Sequence, residues 1–182
     1  GEEIIPGWLG NPFAAFGLNN FLGIDTATGA LNPDLEGLAF VAFQAAFAIL
    51  AIALISGSIA DRAKFGGWML FVGIFATLVY FPVAFWVFNL ENGWGPLMGV
   101  NDFAGGTAIH INAGAAALAL ALILGKRIGF RKGVSKPHNV PLVLLGASIL
   151  WFGWFGFNAG SAAAVDGTAA LAFINTIAAP AA

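Results

Sequence analysis

Four long apolar stretches follow a polar N-terminal segment and dominate the hydrophobic pattern of the chain. They cover about residues 37–57, 66–88, 103–124 and 140–163, and a further apolar stretch begins near residue 168 and is truncated by the end of the sequence. A helix needs about 20 apolar residues to cross the roughly 30 Å hydrocarbon core of a bilayer. Such a span must satisfy its own backbone hydrogen bonds, so all five are predicted to be helices. The predicted fold is an all-α, polytopic membrane protein.

The segment of about residues 1–36 is rich in Gly, Pro, Asn and Asp and is predicted to be a long extracellular loop. The chain opens at Gly1 without Met, shows no signal-peptide pattern, and ends at TIAAPAA inside an apolar run. We therefore expect an internal piece of a larger membrane protein.

Composition supports a place in the bilayer. The 182 residues are 59% hydrophobic and 9% charged, whereas soluble domains average about 25% charged residues. The sequence has no cysteine, which excludes disulfides and Cys-ligated metals. No exposed basic domain supports nucleic-acid binding. No nucleophile–base pair or metal-ligand cluster suggests an enzyme, and we expect neither a cofactor nor a metal.

Charged residues segregate to opposite ends of the predicted spans. All seven Lys and Arg fall in two loops of about residues 58–65 and 125–139, namely Arg62, Lys64, Lys126, Arg127, Arg131, Lys132 and Lys136. Only Asp61 of the nine acids shares these loops, and the others are Glu2, Glu3, Asp25, Asp34, Glu36, Glu91, Asp102 and Asp166. By the positive-inside rule, the basic loops are cytoplasmic and the protein belongs in the cytoplasmic membrane.

One titratable residue lies deep in the third span. His110 follows Asp102 by eight residues, which places it about 12 Å deeper at the helical rise. Ionisable side chains at this depth are costly and usually mark a pathway, although a core histidine bonded to another helix is the alternative. Asp102 precedes Phe-Ala-Gly-Gly-Thr and is interpreted as a helix cap, a role compatible with attracting a cation.

Aromatic residues occur at comparable depths. In the fourth span Trp154, Phe157 and Ser161 are three and four residues apart, so they share one helix face. Phe43 and Phe47 are one turn apart in the first span. The alternative for both sets is ordinary aromatic packing.

Together these residues fit a small solute that arrives hydrated and crosses largely uncharged. Aromatic faces attract ammonium-type cations, and a bare cation would be poorly solvated in an apolar path. These considerations suggest ammonium or ammonia, and they leave water or another small polar solute open.

Several motifs resemble the ammonium transporter (Amt) family, and the resemblance covers essentially the whole chain. They are DFAGGTAIHINAG (102–114), GKRIGF (125–130), KPHNVPLVLLGASILWFGWFGFNAGSA (136–162), ALAFINT (170–176) and FQAAFA (43–48). The resemblance implies eleven transmembrane helices in two inverted halves, assembled as a homotrimer with one pore per protomer. The spans of this chain are then similar to the third to sixth helices and the start of the seventh.

The same resemblance implies roles for individual residues. Ser161 resembles the serine of an outer recruitment site, with Phe47 as its aromatic wall, and Asp102 resembles the aspartate that shapes that site. Phe47 and Phe157 resemble a phenylalanine gate, and His110 resembles the first of two pore histidines. Trp154 resembles a tryptophan beside the pore below the gate. Phe43 lies one turn before Phe47 in the matching helix.

Two features depart from the family pattern. Phe88 ends the segment PVAFWVF, where the family usually has a tryptophan, so cation binding there is expected to be weaker. The second pore histidine belongs to a later helix outside this chain, and His138 in a cytoplasmic loop is not a substitute. We therefore expect that these 182 residues alone do not conduct.

The leading hypothesis is transport of ammonium or ammonia through a membrane pore. The alternatives are an ammonium sensor, in which a similar domain is coupled to a signalling output, and a gas or water channel related to the Rh proteins. The resemblance also implies a PII-type signal protein as a possible cytoplasmic partner. The basic loop GKRIGFRKGVSKPHN could contribute to that contact or serve only as an orientation signal.

Overall fold

A computed structural model describes residues 3–18, 21–25, 27–127, 129–133 and 136–182. The expected loops of about residues 1–36 and 125–139 lie partly outside this description, at Gly1, Glu2, Asn19, Asn20, Thr26, Ile128, Val134 and Ser135. The chain forms two compact units, Gly1–Arg127 and Ile128–Ala182, and each is described by itself.

Helices account for most of the described chain. The first unit contains α1 (Leu35–Ile59), α2 (Phe65–Phe75), α3 (Phe81–Phe88), α4 (Trp94–Leu97) and α5 (Asn112–Leu124), and the second contains α6 (Val140–Gly160) and α7 (Gly167–Ala181). Two π-helical turns and one 3-10 turn complete the described set. Ala76–Tyr80 joins α2 to α3, Gly106–Ile111 precedes α5, and the 3-10 turn is Phe16–Leu18.

Within the described residues, four helical segments are long and apolar enough to cross a membrane. They are Leu35–Ile59, Phe65–Phe88, Gly106–Leu124 and Val140–Gly160. At most 17% of the most apolar window of each segment is buried within the chain, so the sides of these helices are available to lipid or to further helices. The prediction of a helical polytopic membrane protein is confirmed.

Side-chain oxygens hold the first turns of three described helices and explain where those helices begin. An oxygen near a helix N-terminus accepts an amide hydrogen that has no partner within the helix. Asp34 accepts from the Gly37 amide at 2.9 Å in α1, Asn139 from Leu142 at 3.0 Å in α6, and Asp166 from Ala169 at 2.9 Å in α7.

Two helix ends lie three residues from their expected positions. The third span was expected from residue 103, whereas its helical turn begins at Gly106 because Gly105 adopts a left-handed conformation with φ of 88°. The fourth span was expected to reach residue 163, whereas α6 ends at Gly160. Ala163 has a positive φ of 49°, a conformation that interrupts helical hydrogen bonding.

The segment expected to be a loop contains two short antiparallel hairpins that were not predicted. Strand β1 (Glu3–Ile5) pairs with β2 (Leu9–Gly10), and β3 (Leu22–Ile24) pairs with β4 (Leu31–Pro33). Strands of two or three residues are too short to show an alternating pattern. The indole N–H of Trp86 in α3 donates to the Trp8 carbonyl at 2.8 Å, which ties the first hairpin to the end of a span.

Two arginines join the C-terminal ends of α1 and α5. Arg62, which follows α1, reaches the end of α5, and Arg127, which follows α5, reaches the end of α1. Arg62 donates from Nη1 to the Gly125 carbonyl at 2.5 Å and from Nη2 to the Ser58 carbonyl. Arg127 donates from Nη2 to the Gly57 carbonyl at 3.1 Å. Guanidinium groups satisfy the free carbonyls of helix C-termini and favour the negative end of the helix dipole. Thus α1 and α5 run in the same direction, as expected for the first and third spans.

Replacing Arg62 with methionine is expected to destabilise the whole protein by about 2 kcal/mol, because charged hydrogen bonds to two helix ends are lost. The measurement is thermal unfolding in detergent. Lys64→Met is the matched control, since it removes the same charge from the same exposed loop. An equal fall in Tm for both variants would show that loop charge, not the contact between helix ends, determines stability.

Candidate functional site

The carboxylate of Asp102 organises the turn that carries His110. Its Oδ1 accepts the amide of Gly105 at 2.8 Å, and its Oδ2 accepts the amides of Thr107 and Ala108, both at 2.9 Å. A carboxylate at this position satisfies amides that a helix leaves free at its N-terminus and complements the positive end of the dipole. The interpretation of Asp102 as a cap therefore agrees with its contacts, which extend over three amides.

The turn itself is π-helical and tightly packed. Its residues Ala108 and Ile109 are fully buried, and His110 is half-buried on the same turn. Gly105 must lack a side chain, because its φ is 88° and a Cβ would lie 2.5 Å from Cδ1 of Ile109. π-Helical turns place one extra residue in a turn and occur often at functional sites. His110 is thus held by local backbone geometry within a membrane-length helix.

Three phenylalanines form an aromatic cluster between α1 and α3. The ring centroids of Phe43 and Phe47 are 4.5 Å apart at an interplanar angle of 47°, and those of Phe47 and Phe88 are 5.9 Å apart at 46°. Phe47 is 3% exposed. The structure therefore brings together the three aromatic residues that the sequence analysis singled out in the first unit.

Tyr80 is a buried polar residue that the sequence analysis did not identify. It belongs to the Ala76–Tyr80 π-helical turn and is 2% exposed. Within the described part of the chain, its hydroxyl is buried without a hydrogen-bond partner. The available signal was the single tyrosine of the sequence, located inside the second apolar span. A buried hydroxyl in such a span needs a partner, so Tyr80 marks a polar point along α2 and α3.

In the second unit, the end of α6 brings together the other predicted residues. The Ser161 hydroxyl donates to the Phe157 carbonyl at 2.8 Å, and the rings of Phe157 and Trp154 lie 5.5 Å apart at 53°. A hydroxyl that donates its hydrogen to the backbone retains lone pairs that can accept a hydrogen bond from a solute. The spacing argument for one shared face agrees with these contacts.

The sequence analysis also did not identify a series of hydrogen bonds that links α6 to α7. The indole N–H of Trp154 donates to Oδ1 of Asn158 at 3.1 Å, and Nδ2 of Asn158 donates to the Thr176 hydroxyl at 3.0 Å. That hydroxyl donates to the Ala172 carbonyl at 2.7 Å, while the Trp151 indole donates to the Thr176 carbonyl at 2.8 Å. The signal was Asn158 itself, an amide one turn beyond Trp154 in an apolar span.

A cavity of about 360 Å³ adjoins this chain, lined in part by Trp151, Trp154, Asn158 and Thr176. Among the residues that the structure describes, no three His, Asp or Glu side chains are grouped so that they could hold a metal ion. The polar groups of α6 and α7 named above instead form hydrogen bonds with the backbone and with one another.

Membrane-length helices, polar side chains inside the spans and a histidine on a capped π-helical turn define a polytopic helical membrane protein. The sequence model of the Ammonium Transporter Family matches residues 8–182. The chain belongs to this family.

Curated relatives agree with that membership. The chain is 51% identical over 191 residues to a Mycobacterium tuberculosis protein named "Ammonium transporter", an alignment covering 95% of this chain and 40% of the relative. It is 50% identical to the Aquifex aeolicus "Ammonium transporter", covering 97% of this chain and 39% of that protein. The Archaeoglobus fulgidus "Ammonium transporter Amt1" is 46% identical over 78% of this chain and 36% of its own length. The chain thus spans about two fifths of these relatives.

Proposed function

We propose that the whole protein moves ammonium or ammonia across the cytoplasmic membrane through a narrow, largely apolar pore. The observation that carries the proposal is the Asp102-capped turn, which holds His110 inside a membrane-length apolar helix. Ionisable residues at such positions mark transport pathways. The names of the curated relatives support ammonium as the substrate.

An outer recruitment site would combine aromatic faces with a hydroxyl. The ring centroids of Phe47 and Phe88 are 5.9 Å apart, and Phe43 extends the cluster. Ring faces attract an ammonium cation electrostatically. The resemblance implies that the Ser161 hydroxyl belongs to the recruitment site, and its lone pairs can accept an N–H hydrogen bond from ammonium.

Beyond this site, desolvation determines which species passes. Moving a bare cation into an apolar path costs tens of kcal/mol in the Born limit. Ammonium therefore gives a proton to water or to a proton relay before or at the gate, for which the resemblance implies Phe47 and Phe157. His110 then hydrogen-bonds the ammonia or relays the proton, and Trp154 lines the pore below the gate.

The orientation and partners of the whole protein form part of the proposal. The loops at about residues 58–65 and 125–139 would face the cytoplasm, because they carry the Lys and Arg residues. The resemblance further implies a homotrimer and a PII-type partner that contacts the cytoplasmic face. The basic loop before α6 supplies positive charge for that contact.

The two histidines of the chain provide a direct test of the pathway. His110→Ala is expected to lower the uptake of labelled methylammonium by roughly tenfold or more, because a hydrogen-bonding group is removed from an apolar path. His138→Ala is the control, since it removes the same side chain from an exposed position before α6, and its uptake should remain within about twofold of wild type. No uptake by the wild-type protein at normal membrane expression would contradict the proposed function.

A larger aromatic face at the proposed recruitment site is expected to raise the affinity for the transported cation. Phe88→Trp is expected to lower the KM for methylammonium by about two- to fivefold, because tryptophan is the strongest cation–π partner. The measurement is the concentration dependence of uptake. Phe81→Trp makes the same substitution at an exposed position of the same helix and should leave KM unchanged. Equal KM values for all three proteins would remove Phe88 from the recruitment site.

A further inference from the structure

We infer that Asn158 and Thr176 are positioning residues, which hold the indole of Trp154 at one orientation beside the pore. The inference rests on the proposed function, because that proposal supplies the role of Trp154. The contact between the two side chains joins α6 to α7 within the second unit. Neither residue was assigned a role by the motifs of the sequence analysis.

The hydrogen bonds in this chain have one consistent direction. An indole N–H can only donate, so it requires the carbonyl oxygen of Asn158. The amide nitrogen of Asn158 must then donate, and the Thr176 oxygen accepts it because its own hydrogen is directed to the Ala172 carbonyl. Reversing the Asn158 amide would set two donors against each other at Trp154. The threonine hydroxyl therefore determines the orientation of the amide, and the amide determines that of the indole.

Thr176, the last residue in this series of hydrogen bonds, is held in place by several contacts. Thr176 is 3% exposed, and its backbone carbonyl accepts the Trp151 indole at 2.8 Å. The rings of Phe155 and Phe173 add a contact between the same two helices, with centroids 4.6 Å apart. Because α7 is fixed against α6 by these contacts, Thr176 provides a rigid reference point for Asn158.

The indole also has space into which it could move. Trp154 lines the cavity of about 360 Å³ between α6 and α7, so packing alone does not confine every side of its ring. Close packing normally restricts buried side chains to single rotamers. On the side of the cavity, the hydrogen bond to Asn158 adds a restriction to that from the ring contact with Phe157. Loss of the Asn158 contact would release Trp154 toward the cavity.

A displaced indole would change passage and leave recruitment intact. Recruitment is proposed to involve Ser161, Phe47 and Phe88, and none of these side chains would be altered. The width and polarity of the path beside Trp154 would change, so the maximal rate should fall while KM is retained. A loss of folded protein would instead lower the amount of transporter in the membrane.

Thr176→Val in the whole protein is the decisive substitution, because valine keeps the branched shape and removes the oxygen that accepts from Asn158. We expect the maximal rate of methylammonium uptake per molecule in the membrane to fall about tenfold, the equivalent of one hydrogen bond, with KM within about twofold. Thr77→Val is the matched control. Thr77 donates to the carbonyl of Gly73, four residues earlier, at 2.9 Å and is exposed, so the control loses the same type of backbone bond and should transport normally.

A spectroscopic measurement tests the same contact without transport. Ultraviolet resonance Raman spectra report the hydrogen bonding of indole N–H groups, and the difference between wild type and Trp154→Phe isolates the contribution of Trp154. In Thr176→Val this contribution should shift toward a weaker hydrogen bond, as it should in Asn158→Leu. Thr77→Val should leave it unchanged.

Each outcome has a defined meaning. An unshifted Trp154 band in Thr176→Val would overturn the positioning role, as would a maximal rate equal to that of wild type. If the band shifts in Thr176→Val but the wild-type protein itself shows no uptake, the proposed function is contradicted while the hydrogen bonds from Trp154 to Thr176 are retained. A reduced rate together with the shifted band, and neither change in Thr77→Val, is the result that supports the inference.

Discussion

The carboxylate of Asp102 is the contact on which the candidate site depends. It accepts amides from Gly105, Thr107 and Ala108, which would otherwise be unpaired donors at the start of a membrane span. Unpaired backbone groups cost several kcal/mol each in an apolar medium. One side chain therefore removes a large penalty and permits the π-helical turn that carries His110. The function of the histidine and the stability of the span are linked through this carboxylate.

Elsewhere in the chain, polar side chains inside or beside the spans also pair with polar groups that would otherwise lack a partner. Arg62 and Arg127 satisfy carbonyls at the C-terminal ends of α1 and α5. Asn158 and Thr176 satisfy each other and orient an indole. In a chain with only 9% charged residues, these polar groups serve the backbone or another side chain. The apolar surface that remains is available to lipid and to further helices. The relatives are longer than this chain, which spans about two fifths of their length.

Hydropathy was sufficient to predict helices of membrane-spanning length, because such a helix is defined by length and composition. The cap at Asp102 was also predictable, since it depends on residues that follow closely in sequence. The π-helical turn was not, because an extra residue per turn leaves no trace in the apolar pattern. Tyr80 was recognisable in the sequence only as a single polar side chain within an apolar span. Its burial depends on how the helices pack.

In the aromatic and polar clusters, contacts within one helix were predictable from sequence and contacts between helices were not. Spacing alone predicted that Trp154, Phe157 and Ser161 share a face, because they lie within eight consecutive residues that span the last turns of α6 and its C-cap. The approach of Phe88 to Phe47 and of Thr176 to Asn158 joins different helices. Such contacts depend on how the helices pack, and no local pattern encodes them. The short hairpins before α1 were unpredicted because their strands are too short to show a period.

The most direct test of the central claim is a high-resolution structure of the whole protein carrying Asp102→Ala, compared with wild type. If the carboxylate holds the π-helical turn, the variant should relax toward an α-helix, and the His110 side chain should rotate by about 100° around the helix axis. An unchanged π-helical turn with His110 in its wild-type position would contradict the claim.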